Sequence, residues 1–153
     1  HRFLLTPNDS RGIEGAIGLQ NTLTWLIRDV KPTRVFMANR LDLHPDHRAV
    51  NQELVISVFH AQGQIWPELG PPIPTIPKLY EYPTYSDFIT PPNMRVRVSD
   101  DLVEKRLEGV AMFKSQLQID LLVQQLRKAG GNEYLLEMAF DIFEAQKYER
   151  LFD

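Results

Sequence analysis

Between Ile13 and Val30 the apolar residues fall at 13, 16, 17, 23, 26, 27 and 30. That spacing is close to 3.6 residues and predicts an amphipathic helix. Lys31-Pro32 ends it, because the residue before a proline avoids the helical region. Thr33 to Ala38 reads TRVFMA, β-branched and aromatic, and predicts a buried strand. After the loop NRLDLHPDHR, residues Val50, Leu54, Val55, Val58 and Phe59 mark one face of a second helix. A short apolar run, Arg2 to Leu5, reads as a strand ahead of the first helix, closed by the turn-rich TPNDSRG.

The second half is patterned differently. Eight of the eleven prolines lie from Pro67 to Pro92, so this segment cannot be helical for long. We expect an irregular crossing with one short strand near Lys78 to Tyr82. Met94 to Val98 alternates apolar residues with arginine and predicts another strand. Ser99-Asp100-Asp101 is a helix start, and Val103, Leu107, Val110, Ala111 and Lys114 carry that helix on. Ile119, Leu122, Val123 and Leu126 predict a further helix, closed by Gly130-Gly131. Asn132 is read as the cap of one more helix, with Leu135, Leu136, Ala139, Phe140 and Phe143 on its apolar side. Lys147 to Phe152 is left open between a strand and a tail. Trp25, Phe140 and Phe143 are expected in the core, and Trp66 as a loop anchor. The alternation of helix and strand predicts an α/β fold: one Rossmann-like domain over residues 1–153, its mostly parallel sheet flanked by helices. In such sheets the ligand site lies beyond the carboxyl ends of the strands.

Composition narrows the function classes. The chain of 153 residues has a net charge of −3, so nothing favours nucleic acid or an anionic membrane surface as partner. No apolar run approaches the ~20 residues of a membrane span. There are no cysteines. Any metal must therefore be held by His, Asp or Glu, and a reducing, cytoplasmic setting is the expectation. The chain begins HRFLL with no lead-in before its first strand, and we expect it to be part of a longer protein.

The chemistry concentrates in DLHPDHRAVNQ, residues 42 to 52, which holds two of the four histidines. One reading is a polar turn in which Asp42 or Asp46 caps the following helix and Pro45 fixes the bend. The other is a metal or acid–base site. Imidazole is a common zinc ligand, and proline stiffens the loop. Arg48, Asp42, Tyr82 and Tyr85 are candidate substrate contacts. For Tyr82 and Tyr85, an aromatic face for a sugar is weighed against packing of the loop.

HPDHRAV at 44 to 50 resembles a signature motif of the PIG-L/LmbE-type zinc-dependent N-acetylglucosaminyl deacetylases. Further landmarks follow in the family's order: FLLTPND (3–9), IRDVKPTRVFMANRLDLHPDHRAV (27–50), Tyr80 to Pro83, and VSDDLVEKRLEGVAMFKSQ (98–116). The resemblance implies that His47 is a metal ligand, for Zn2+ or Fe2+. It implies that His44 faces the substrate carbonyl as an electrophilic or acid group, and that Asp46 orients an imidazole. The implied reaction is hydrolysis of an N-acyl group, expected to be acetyl, from an amino sugar or glycoside.

The chain departs from the family in one respect. The His-Pro-Asp-Asp stretch that supplies two further ligands and the general base does not occur here. We therefore expect a C-terminal portion, its N-terminal strands missing and the chain inactive alone. The other ligands would come from an upstream segment or a complementary chain. An unpaired strand edge would also favour a homo-oligomer. The alternative is a non-catalytic α/β binding or assembly module that keeps part of the motif as a turn.

Overall fold

The computed structural model describes residues 13–115, 117–141, 143–149 and 151. The expected strand at Arg2 to Leu5, Gln116 and Phe152 lie outside them. The chain forms two compact units. The first comprises residues up to Ile89 and again from Glu137, and the second Thr90–Leu136.

In the first unit, helix α1 (Ile13–Val30) leads into strand β1 (Arg34–Ala38). Helix α2 (Pro45–Gln62) follows, then a 3-10 turn at Pro67–Leu69 and strand β2 (Lys78–Tyr82). β1 and β2 pair in parallel, from Arg34 opposite Lys78 to Ala38 opposite Tyr82, so their carboxyl ends come out side by side. Leu19, Leu23 and Ile27 of α1 pack with Leu54, Val58 and Ala61 of α2, over Met37, Ile73 and Leu79. Met138 and Phe140 close against the same core. Lys31 ends α1 at φ 50, a left-handed cap conformation more usual for glycine or asparagine. Its N–H returns to the Ile27 carbonyl at 2.8 Å.

α2 buries Leu54 and Val58 of its marked apolar face and packs Val55 against the core, but the buried side also takes in polar residues. Phe59 is exposed, while Asn51, Glu53 and Ser57 are buried beside Leu54, Val58 and Ala61. Asn51, Glu53 and Ser57 each have a partner. Gln20 donates to Glu53, and Ser57 Oγ donates to the carbonyls of Gln20 and Glu53. At its far end α2 is held by Arg28. This buried guanidinium donates to the carbonyls of His60, Ala61, Gly63, Ile65 and Trp66 at 2.7 to 3.4 Å. It thereby satisfies acceptors left open at and beyond the helix end. Trp66 does anchor this loop: its carbonyl takes Arg28, and its ring meets the His60 ring edge-on at 4.6 Å.

The second unit contains strand β3 (Met94–Arg97), helix α3 (Asp100–Ala111), helix α4 (Ile119–Ala129) and most of strand β4 (Asn132–Met138). β4 replaces the helix expected from Asn132. The run NEYLLEM is short enough to satisfy either period, and the glycines decide. Gly130 sits at φ 65, and a Cβ on Gly131 would collide with the Val98 carbonyl oxygen. That close approach starts an antiparallel pairing, Arg97 with Asn132 through Met94 with Leu135. The tail left open by the sequence holds a short helix α5 (Gln146–Glu149). Two expected core residues are exposed. Trp25 is 40% exposed, and Phe143, at 77%, stacks on Tyr148 at 6.0 Å.

The fold is thus mixed α/β. The described pairings include one parallel pair and one antiparallel pair, where a mostly parallel sheet was expected. Among the described residues no helix is long and apolar enough to cross a membrane.

Candidate functional site

The site lies at the carboxyl ends of β1 and β2, where an α/β sheet places its ligands. Beyond Ala38 the chain is fastened at once. The Asn39 N–H donates to the Tyr82 carbonyl at 3.0 Å. Its side-chain oxygen accepts from the Leu41 N–H at 2.7 Å, and its amide nitrogen donates to Ser86 Oγ and the Asp87 carbonyl. One buried side chain thus turns the loop and moors the segment after β2. Below it Glu81 is buried and accepts from the Arg40 N–H, from Asn51 Nδ2 and from Arg40 Nε. Asn51 also donates to the Ala38 carbonyl at 2.7 Å, so α2, β1 and β2 meet in one polar network.

Asp42 is fully buried at the centre. Oδ1 accepts from the His44 N–H at 2.8 Å and meets His47 Nδ1 at 3.1 Å, while Oδ2 accepts from the Tyr85 N–H at 3.1 Å. Burial pushes its carboxyl up. The two backbone N–H groups, with the charge and hydrogen bond of the His47 ring, outweigh this and hold it below the usual 3.8. An ionised carboxylate can only accept. In the neutral His47 ring Nδ1 therefore carries the proton, and Nε2 keeps a lone pair. Both Asp42 oxygens are thus committed to donors of the chain itself, and the side chain does not reach solvent.

His44 caps α2, in place of either aspartate. Its Nδ1 accepts from the Asp46 N–H at 3.2 Å. A backbone N–H can only donate, so Nδ1 holds a lone pair and a neutral His44 carries its proton on Nε2. The two imidazoles stack with centroids 4.8 Å apart. One offers a lone pair and the other an N–H. No partner for either Nε2 is found among the described residues.

The remaining expected residues divide. The Asp46 carboxylate is exposed and 3.9 Å from His44 Nδ1. The carboxylate that holds an imidazole by a hydrogen bond is Asp42, and Asp46 acts on His44 through its backbone. Arg48 turns back to the carbonyls of Asp42 and Leu43 at 2.8 and 3.3 Å, fastening the loop. Tyr85 joins the site, its ring 5.7 Å from His47 and 6.3 Å from His44. Tyr82 lies at the end of β2, partly exposed, its carbonyl holding Asn39. Asn51, Glu81 and Ser86 were not anticipated. A charge inside the strand KLYEY and an asparagine on the inner face of α2 were the available signals.

The fit of a metal is judged from the donors. His47 suits one corner of a zinc site: a neutral imidazole with Nε2 free and Nδ1–H on a buried carboxylate, the usual arrangement behind a ligating histidine. Among the described residues no group of three His, Asp or Glu stands close enough to hold an ion.

No family model and no curated protein matches the chain. Among solved structures, the crystal structure of the conserved protein TT1542 from Thermus thermophilus is similar, with a TM-score of 0.70 at 20% identity. The match covers 83% of this chain and 61% of that one, so the chain spans less than two thirds of that protein's length. At this identity the likeness is one of fold.

Proposed function

We propose that this chain carries the histidine half of a metal-dependent N-acyl hydrolase of PIG-L/LmbE type, Rossmann-like in its full sheet. Its substrate would be an N-acetylated amino sugar or glycoside. The observation that supports this most is the pair of stacked imidazoles with opposite free groups, beyond the carboxyl ends of parallel strands. His47 Nε2, held by Asp42, would bind the ion, Zn2+ or Fe2+, whose other ligands would come from polypeptide outside the described residues. The bound ion would polarise the amide carbonyl and make its water acidic near neutral pH. His44 Nε2–H would donate to the oxygen on which negative charge develops. Holding Nδ1 in the helix cap fixes which nitrogen does so. The expected outcome is that the full-length protein releases acetate from an N-acetylglucosamine compound and stops when a chelator is added. Acetate release at the same rate in excess chelator would contradict the reading.

A further inference from the structure

The Tyr85 side chain has no evident reason to be where it is. It is 61% exposed, so burial does not hold it, and it belongs to a segment about forty residues from the histidines in sequence. Yet it meets the site twice. Its N–H is the sole donor found for Asp42 Oδ2 among the described residues. Its ring lies within 13° of the His47 plane and within 26° of the His44 plane. The three centroids, 4.8, 5.7 and 6.3 Å apart, form a triangle and not a column, so Tyr85 borders both imidazoles at once. The segment that carries it is moored by Asn39 through Ser86 and Asp87.

We propose that Tyr85 is a positioning residue: its ring holds both imidazoles in the orientations in which Asp42 and the helix cap fix their opposite tautomers, and its N–H keeps the carboxylate that sets one of them. Without the ring, the His47 imidazole can rotate about its side-chain bonds and leave Asp42. The Nε2 lone pair then points away from the place where an ion or a substrate would be held. The proline-rich segment thereby acquires a role. It carries the wall that locks the site, and its register is set by one asparagine at the end of the neighbouring strand. The consequence for metal affinity rests on the proposed hydrolase reading; the tautomer claim does not.

The test uses metal-free full-length protein labelled with nitrogen-15 at histidine. Long-range proton–nitrogen spectra at one fixed pH report which ring nitrogen of each histidine carries the proton. Wild type is expected to show Nδ1–H at His47 and Nε2–H at His44. Tyr85→Phe should keep both, since the ring remains. Tyr85→Leu keeps the backbone N–H and apolar bulk, and should give averaged signals at His47. Zinc affinity measured against a competing chelator should fall about 10-fold in Tyr85→Leu and hold in Tyr85→Phe. Unmixed wild-type tautomers in a folded Tyr85→Leu would overturn the proposal. Absence of zinc binding in wild type would overturn the hydrolase reading instead, with the tautomer result deciding Tyr85 regardless.

Discussion

At the scale of single residues the site depends on which atoms are already committed. Asp42 spends both oxygens on three donors, and each donor is thereby fixed. Replacing it by asparagine keeps the shape but turns an N–H2 toward at least one of them. A buried donor left facing another donor costs about 1–3 kcal/mol. Asp42→Asn is expected to lower stability by about 2 kcal/mol, read from the midpoint of urea unfolding. The same change at Asp46, exposed and bonded through its backbone, should cost less than about 0.5 kcal/mol. That contrast checks which aspartate holds the site. Sequence alone pointed to the HPDH aspartate, because its neighbours in sequence are the histidines. The geometry chooses the residue two positions before the first histidine, because the chain folds back over it.

At the scale of elements the end of α2 carries a comparable dependence on one group. Arg28 supplies donors to five carbonyls, and a lysine cannot reach them with a single ammonium. Arg28→Lys is expected to destabilise by about 3 kcal/mol. Beside it, burial first and the Arg28 charge second hold the His60 ring below its ordinary 6.5. His60 Nδ1 is buried with no partner among the described residues. As pH falls through 6.5 the unfolded chain takes up a proton before the folded chain does. Stability present above that value is therefore lost progressively below it. Urea midpoints measured from pH 8 to pH 5 should fall for wild type and fall less for His60→Phe. In the other unit, Gly131→Ala would press a methyl group against the Val98 carbonyl. It should raise amide exchange along β3 and the start of β4 and lower stability by at least about 1 kcal/mol.

These elements also show how far the sequence could be read. α1, β1 and β2 follow from period and proline placement, and their observed bounds differ by at most a residue from those expected. The reading failed where a long-range contact overrules local pattern. β4 is a strand because Gly131 lets two backbones touch, and the inner face of α2 is partly polar because it must meet Gln20, Ala38 and Glu81. Within the site, HPDH and Tyr85 were legible by residue type. The Asn39, Asn51 and Glu81 network was not, since its members come together only once β1 and β2 are side by side.

At the scale of the whole molecule, the likeness to the Thermus protein covers 83% of this chain and 61% of that one and is one of fold. The proposed metal ligand, His47, stands in no group of three His, Asp or Glu among the described residues. The account therefore turns on whether His47 binds metal in the full-length protein. Zinc affinity should be measured by chelator competition for wild type, His47→Ala and His44→Ala. The account predicts one tight equivalent in wild type, retained by His44→Ala and weakened at least ~100-fold by His47→Ala. Zinc held as tightly by His47→Ala as by wild type would contradict it.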